Sequence, residues 1–183
     1  NRIAPNAMEM RQIFAMPHPE SSEKDELLIW CGTQGTVSLS KQIAEALNLE
    51  NDKVHLRSGN VGGGFGYKIF LHPEQLCVSW AAKKLKRAVR WQQDRTEGFV
   101  SDLQGRDIYS YAKALVTHKG KIKAVQFKNE ANLGSWLSNF GIYVPTKSTC
   151  RTLTTLYDIS NVSLEVIGVV TNTPAIDAYR GAG

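Results

Sequence analysis

The sequence is poor in cysteine, and the few cysteines that it has are far apart. Cys31, Cys77 and Cys150 are odd in number and widely spaced, which argues against both a disulfide framework and a Cys-x-x-Cys metal site. Free thiols of this kind are typical of a reducing compartment. We therefore expect unpaired cysteines and a cytoplasmic protein.

Histidine is also scarce, and its spacing predicts no metal site. The four histidines show no ligand pattern such as His-x-x-x-His, so we expect no metal ion ligated by protein side chains. The Gly-x-Ser-x-Gly motif of a nucleophile elbow is missing as well. The sequence thus indicates no self-sufficient catalytic set. The histidines are His18, His55, His72 and His118.

Long hydrophobic runs and strong charge of one sign are lacking too. No apolar run approaches the roughly 20 residues of a membrane helix, and we expect no membrane partner. The net charge is only +5, and its main cluster, at residues 83–90, ends a predicted helix, where cations complement the helix dipole. We expect no nucleic-acid partner. A nucleic-acid-binding domain that uses this cluster is one rival hypothesis.

What the sequence does contain is a concentration of glycine at residues 61–68. Gly62, Gly63, Gly64 and Gly66 surround Phe65. Glycine tolerates positive φ and has no side chain, so such a run can present main-chain N–H groups to a ligand, as an anion-binding nest does. The alternative is a tight turn in which the glycines only relieve steric crowding.

The two standard nucleotide-binding glycine motifs do not fit this run. The dinucleotide fingerprint Gly-x-Gly-x-x-Gly needs a third glycine where the chain has Tyr67 or Ile69. The phosphate loop needs a Gly-Lys pair, but Tyr67 precedes Lys68. The run lies between a predicted strand at residues 54–58 and a predicted helix at residues 74–86.

A second turn, around Gln34, occupies the same place between a strand and a helix. Residues 26–31 are a continuous apolar run that predicts a buried strand, and residues 37–49 repeat at helical spacing. Helix N-termini offer unpaired N–H groups, and a glutamine side chain offers a donor and an acceptor. The alternative is a turn residue that bonds its own backbone. A third glycine-bearing loop, residues 175–183, contains Arg180.

The remaining chain predicts more strands than helices. We expect strands at residues 88–92 and 162–170 and a long hairpin formed by residues 106–117 and 121–130. Residues 93–97 are predicted to be a turn, residues 132–136 interrupt the strand pattern, and residues 145–156 are weakly helical. Strict βαβ alternation is missing, so we predict an α+β fold, a mixed β-sheet with packed helices. The helix at 74–86 is expected to bury Leu76, Cys77, Trp80, Ala81 and Leu85.

Together the three turns resemble the molybdenum hydroxylases, the family of xanthine dehydrogenase, aldehyde oxidase and the carbon monoxide dehydrogenase large subunit. The resemblance is carried by Thr33-Gln34-Gly35, by the Val-Gly-Gly-Gly-Phe-Gly loop at residues 61–66 and by the Ala-Tyr-Arg-Gly-Ala-Gly tail at residues 178–183. Residues 5–11 and 91–97 are also similar to the family. It implies that residues 1–183 are the first part of a molybdopterin-binding domain, truncated at its C-terminus.

The resemblance also implies a molybdopterin cofactor with molybdenum, as the cytosine dinucleotide. By position, Gln34 is expected to hydrogen-bond an oxo ligand of the metal, and Phe65 and Gly66 to offer main-chain N–H groups. Arg180 is expected to steady a loop beside the substrate, so that Gln34 and Arg180 are the candidate catalytic residues. The implied cofactor-binding residues are Gln34, Gly35, Gly64, Phe65, Gly66, Ala178, Tyr179, Arg180 and Gly181.

The implied activity is that of a hydroxylase that oxidises an aldehyde or an N-heterocycle with water as the oxygen source. Gly181 stands where the carbon monoxide enzymes have cysteine, and Tyr67 and Ile69 replace residues usual in purine-oxidising members. The family's catalytic base lies beyond residue 183, so we expect the isolated chain to be inactive and to bind cofactor weakly or not at all. Implied partners are the rest of the molybdenum subunit, iron–sulfur and FAD subunits or domains, and a small-molecule substrate. The alternative is a catalytically inactive binding or structural module on the same scaffold.

Overall fold

The computed structural model describes residues 3–20, 26–154 and 156–181. They form two compact units, one of residues Asn6–Asp102 and the other of residues 3–5 with 103–181. Each unit contains its own mixed β-sheet, so the predicted α+β class is confirmed. Within the described residues, no helix is both long enough and apolar enough to cross a membrane.

The first unit is a four-stranded sheet in the order β3-β2-β1-β4. Strand β1 pairs antiparallel with β2 and with β4, and β2 pairs parallel with β3. A single-turn 3₁₀-helix, Asn51–Lys53, precedes β3. The strands are β1 (Gln12–Pro17), β2 (Leu27–Cys31), β3 (Val54–Arg57) and β4 (Val89–Gln92), and the helices are α1 (Thr36–Ala46), α2 (Pro73–Leu85) and α3 (Arg95–Ser101).

The hydrophobic core of this unit lies between one face of the sheet and helices α1 and α2. Alternate residues of β1 and β2 point into it, as the period of two in a strand requires, and Leu39 and Ile43 of α1 cover them. The buried cluster consists of Ile13, Ala15, Leu27, Ile29, Cys31, Leu39, Ile43, Ala44, Val54, Val78 and Ala82. The buried strand predicted at residues 26–31 is confirmed as β2.

The second unit is a three-stranded sheet in the order β5-β6-β7. Strands β5 (Ile108–Val116) and β6 (Ile122–Gly134) form the predicted hairpin, with Gly120 at φ 80° in its turn, and β7 (Asn161–Val170) pairs parallel with β6. A π-helical turn, Val144–Ser148, leads into the short helix α4 (Thr149–Thr152). The weak helical signal at residues 145–156 is confirmed over residues 145–152. Residues 153, 154 and 156 are not helical, and Thr155 lies outside the described residues.

The predicted buried face of α2 is wrong. Gln75, Val78, Ser79 and Ala82 point inward, whereas Trp80 is 51% exposed and packs against Lys84 at 4.6 Å. The small Ser79 and Ala82, both fully buried, let the helix lie close to the sheet. Hydrophobicity alone therefore selected the opposite face of the helix.

Two further local predictions are wrong for identifiable reasons. Residues 95–101 form helix α3 rather than a turn, because the Asp94 carboxylate accepts a hydrogen bond from the Glu97 N–H and caps the helix. The strand pattern does not stop at residue 132, because β6 continues to Gly134 through a register irregularity.

A buried ionic network joins four segments of the first unit. The Arg11 guanidinium, 2% exposed, donates from Nε to Asp102 at 2.8 Å and from both terminal nitrogens to Glu74. Gln93 bonds the same Asp102 carboxylate through its side chain and the Arg11 carbonyl through its N–H. Burial opposes the charge of Arg11, but the two carboxylates raise its pKa. This network fixes the segment before β1 to α2, β4 and α3.

We predict that Arg11→Met strongly destabilises this unit. The substitution leaves the buried Asp102 and the half-buried Glu74 without their cation, which costs about 3–5 kcal/mol when a buried pair is broken. The measurement is the free energy of unfolding by urea. The control is Arg90→Met, since Arg90 is exposed on β4 and its guanidinium donates to Gln92. A loss below about 1 kcal/mol for Arg11→Met would contradict the assigned role.

Candidate functional site

The Gln34 turn and the glycine loop are joined by direct hydrogen bonds. Gln34 donates its main-chain N–H to the Lys68 carbonyl at 3.0 Å, and the Thr33 hydroxyl donates to the same carbonyl at 2.9 Å. In return, the Gly66 N–H donates to Oε1 of Gln34 at 2.9 Å. Two turns that are far apart in the sequence are thus one structural piece.

This pairing fixes which way the Gln34 carboxamide points. Because Oε1 accepts from Gly66, the exposed Nε2 is left as a donor, and it has no hydrogen-bond partner within the described part of the chain. The side chain therefore presents two N–H bonds to solvent at the N-terminal end of helix α1. Helix α1 begins at Thr36, directly after Gly35, and has no side-chain cap at this end.

Glycine is required at position 64 by the close approach of Gln34. A Cβ built on Gly64 would lie 2.4 Å from Cδ and 2.5 Å from Oε1 of Gln34. The loop turns through positive φ at Gly63 (102°), Phe65 (54°) and Gly66 (99°). Positive φ is unusual for an aromatic residue, and it leaves the Phe65 side chain 38% exposed.

The loop presents fewer bare N–H groups than its glycine content predicts. The Gly62 N–H donates to Glu9 at 2.9 Å and the Gly66 N–H donates to Gln34. Among the described residues, the N–H groups of Gly63 and Gly64 have no protein acceptor. The donor set of this turn is therefore two main-chain amides and the Gln34 carboxamide.

Glu9 and Lys68, which sequence reasoning did not select, form the base of the loop. The Lys68 side chain, 1% exposed, donates from Nζ to Glu9 Oε2 at 2.7 Å and to the Glu9 carbonyl at 2.9 Å. Partial burial opposes ionisation of Glu9, but hydrogen bonds from Lys68, Gly62 and Gln12 lower its pKa. Glu9 also donates its main-chain N–H to the Gly62 carbonyl at 3.0 Å.

The residues that follow the glycine run point into the protein. Tyr67 is 1% exposed, and burial raises the pKa of its hydroxyl to about 12. His72 contacts the Tyr67 carbonyl through Nε2 at 2.7 Å, and burial followed by the charge of Arg11 lowers the pKa of His72 to about 4. The ring is thus neutral and donates its Nε2 proton to that carbonyl. These two side chains hold the loop and do not line its exposed side.

The tail loop belongs to the other unit and is fixed by Arg106. Its guanidinium donates to the carbonyls of Tyr179 at 2.9 Å and Arg180 at 3.2 Å, and it lies 5.7 Å from the Tyr179 ring. Gly105 permits this contact, since a Cβ there would be 2.5 Å from that of Tyr179. Arg180 and Gly181 have φ of 42° and 74°. No local pattern in the sequence indicated Arg106.

Of the predicted site residues, the structure brings together Gln34, Gly35 and residues 64–66. Ala178, Tyr179, Arg180 and Gly181 form a separate turn in the second unit. The meeting of these two sets on one ligand stays a prediction. Ala182 and Gly183, which contribute to the tail motif, lie outside the described residues.

We predict that Gly64→Ala releases the Gln34 carboxamide from Gly66. The new methyl group takes the space of the carboxamide, so the Gly66 amide should exchange its hydrogen roughly two- to tenfold faster, the equivalent of a lost hydrogen bond of about 0.5–1.5 kcal/mol. Gly59→Ala is the control, because nothing lies within 4 Å of a Cβ there. Unchanged exchange in Gly64→Ala would contradict the model of a side chain held by this contact.

We also predict that this unit loses stability on mild acidification because of His72. The pKa of His72 is about 4 in the folded chain, below its ordinary 6.5, so the unfolded chain binds the extra proton first. Stability is complete above pH 6.5 and falls as the pH approaches 4, at up to about 1.4 kcal/mol per pH unit.

The test is urea unfolding at several pH values between 7 and 5. His72→Gln should flatten the slope, and His118→Gln, in the turn after β5, should leave it unchanged. A slope that survives in His72→Gln would show that another group is responsible.

Comparison with known proteins identifies the scaffold. The family model for the molybdopterin cofactor-binding domain matches residues 1–183. The gamma subunit of the 6-hydroxypseudooxynicotine dehydrogenase complex of Paenarthrobacter nicotinovorans is 27% identical over all of this chain and 22% of its own length. The probable hypoxanthine oxidase XdhD of Escherichia coli K12 is 30% identical over 87% of this chain and 16% of its own.

Comparison with solved structures gives the same result as the comparison of sequences. Quinoline 2-oxidoreductase from Pseudomonas putida 86 matches the whole chain with a TM-score of 0.86 at 28% identity, over 23% of its own length. Aldehyde oxidoreductase from Desulfovibrio gigas shares the fold, with a TM-score of 0.86 at 22% identity, over 100% of this chain and 19% of its own. The chain spans about a fifth of the length of such relatives. With a family match along its full length, the chain belongs to the molybdopterin cofactor-binding domain family of the molybdenum hydroxylases.

Proposed function

We propose that residues 1–183 are part of a molybdopterin-binding domain in the catalytic subunit of a molybdenum hydroxylase. The observation that carries this proposal is the outward-facing Nε2 of Gln34, held in place by the Gly66 N–H at 2.9 Å. It stands beside the N–H groups of Gly63 and Gly64, for which the described part of the chain offers no acceptor. Neutral donors clustered at a helix N-terminus suit a ligand rich in anionic oxygen.

The residues present fit such a group. The carboxylate of the nearby Glu9 is engaged by Lys68 and Gly62, so it is not among the groups that would face the ligand. The loop cannot tolerate a Cβ at position 64 without displacing the carboxamide. When bound, molybdopterin would supply molybdenum redox chemistry. The chain's own residues would supply orientation and hydrogen bonds.

Each predicted residue receives a role in this proposal. Gln34 would donate a hydrogen bond through Nε2 to the bound cofactor. Gly35, Gly64, Phe65 and Gly66 contribute main chain, with Gly66 acting through its bond to Gln34. From the other unit, Arg180 steadies the substrate-side loop, together with Ala178, Tyr179 and Gly181. Arg106 holds that loop through two carbonyls.

We infer an aldehyde or an N-heterocycle as the substrate. Relatives named for such chemistry include nicotine 6-hydroxylase of Paenarthrobacter nicotinovorans and aldehyde oxidase 2 of Rattus norvegicus. Gly181, in place of a cysteine, argues against carbon monoxide oxidation. Tyr67 is buried and cannot contact a substrate in this conformation. The sequence argument against a purine substrate, which is itself an N-heterocycle, therefore rests on Ile69 alone.

The proposal includes partners and a location. The cytosine dinucleotide form of the cofactor, iron–sulfur and FAD subunits or domains, and the remainder of the molybdenum subunit are inferred from family membership. The names of two relatives, a gamma subunit of a dehydrogenase complex and a large subunit, support assembly with other chains. The free thiols of Cys31, Cys77 and Cys150 agree with the proposed cytoplasmic location.

The rival from another class, nucleic-acid binding by residues 83–90, receives less support. Lys83 donates to the Leu47 carbonyl at 3.4 Å, and Lys84 lies over the Trp80 ring. Two of the cluster's cations therefore have structural contacts. A catalytically inactive module on the same scaffold is the remaining alternative, and cofactor content distinguishes it.

The test is molybdenum and pterin content in the complete subunit. We expect near-stoichiometric cofactor in the parent protein and an affinity about ten- to a hundredfold lower in Gln34→Ala, the range for a lost hydrogen bond to a charged group. Gln42→Ala is the control, because Gln42 lies on the same helix α1, is half-buried, and donates its carboxamide to Ser38. The isolated 183-residue chain should hold little molybdenum and show no turnover.

Each outcome has a distinct meaning. Absence of cofactor from the complete parent subunit would favour the inactive module. Full cofactor in Gln34→Ala with unchanged activity would refute the role of Gln34. Near-stoichiometric molybdenum in the isolated chain would refute the expectation that these 183 residues alone bind the cofactor weakly or not at all.

A further inference from the structure

A cluster of three potential metal ligands lies on the first unit, away from the glycine loop. His18, Glu26 and His55 each offer one ligand atom, and these atoms all lie within 4.8 Å of one another. The sequence spacing of the histidines does not indicate this cluster, because its members come from three different segments. None of these residues takes part in the site described above.

Strand register explains why they meet. The β1–β2 ladder pairs Met16 with Leu28, and it continues one step further through the His18 N–H, which donates to the Glu26 carbonyl at 2.8 Å. Strand β3 runs parallel to β2 and places His55 beside Leu28. Because side chains alternate along a strand, the three residues share the face that is turned away from the core.

The contacts within the cluster are close and polar. His55 Nε2 lies 2.5 Å from Glu26 Oε1, and the rings of His18 and His55 have centroids 4.9 Å apart at an angle of 59°. The His55 side chain is 42% exposed and that of Glu26 is 17% exposed. A hydrated ion can therefore reach the cluster from solvent.

We propose that His18, Glu26 and His55 form a binding site for a zinc-class divalent transition-metal ion. Two imidazole nitrogens and one carboxylate oxygen are a standard zinc ligand set, with a fourth position open to water. Zinc–ligand bonds of about 2.0–2.2 Å place tetrahedral ligand atoms about 3.4 Å apart, a spacing that small side-chain rotations reach from the present one. Calcium and magnesium are disfavoured, since they require oxygen ligands.

Metal binding would replace two of the hydrogen bonds that the cluster makes. One is the Glu26–His55 contact. The other is the bond from the Glu20 N–H to His18 Nδ1, which is long at 3.3 Å and exposed. A metal on Nδ1 takes that lone pair, and a metal on Nε2 leaves Nδ1 protonated, so the bond is lost in either case. Its length and exposure make this loss small compared with coordination by three ligands.

The experiment is a zinc titration of the 183-residue chain against a chromophoric chelator. Cys77 and Cys150 are exposed thiols that could bind zinc themselves, so both are first replaced by serine. We expect one zinc ion per chain. His18→Ala, Glu26→Gln and His55→Ala should each weaken binding by at least the ~10–100-fold that loss of an outer-shell partner costs, while His118→Ala should have no effect.

Binding of cobalt, read by its absorption spectrum, checks that the ligands are nitrogen and oxygen rather than sulfur. Thermal unfolding without metal identifies any variant that fails to fold. If an alanine variant fails to fold, zinc binding by the nearly isosteric Glu26→Gln decides whether the cluster is the site. The proposal is overturned if the parent chain binds no zinc, if binding survives all three substitutions, or if His118→Ala weakens it equally. It fails or stands independently of the molybdopterin proposal.

Discussion

The buried ammonium group of Lys68 is the constraint on which the candidate site depends. A buried cation must be paired, because an isolated one is far too costly to desolvate. Lys68 meets this need with the carboxylate and the carbonyl of Glu9, and its own carbonyl accepts from Gln34 and Thr33. One residue thus ties together the segment before β1, the glycine loop and the Gln34 turn.

This constraint gives the glycines a different meaning from the one their number suggests. A Cβ on Gly62 would lie 2.5 Å from the Cβ of Glu9, and one on Gly32 would lie 3.0 Å from the Glu9 carboxylate. Gly64 gives the same freedom to Gln34. The glycines at positions 32, 62 and 64 therefore allow the side chains of Glu9 and Gln34 to approach the main chain. The exposure of bare amides, at Gly63 and Gly64, is the smaller part of the role of the glycines.

Sequence patterns predicted strands from the spacing of their apolar residues. The apolar run of β2 is buried except at Trp30. Strands β5 and β6 alternate in sequence and pair as the predicted hairpin, although most of β5 is exposed. The same reasoning chose the wrong face of helix α2, because close packing against the sheet buries the small Ser79 and Ala82 and leaves Trp80 exposed. Helix α3 was missed although Asp94 and Glu97 stand at the spacing of a capping box; that signal was available in the sequence.

The supports of the site could not be predicted, and one physical reason covers them all. Irregular segments have main-chain carbonyls without strand partners, and these need donors. Arg95 supplies donors to the carbonyls of Ala7 at 2.7 Å and Met8 at 3.1 Å, Lys68 to that of Glu9, and Arg106 to those of Tyr179 and Arg180. Each cation acts across a long stretch of sequence, so no local pattern marks it. In both units the same arrangement engages the carbonyls of an irregular segment beside a candidate turn, and the turn is thereby held in shape by residues that need not touch a ligand.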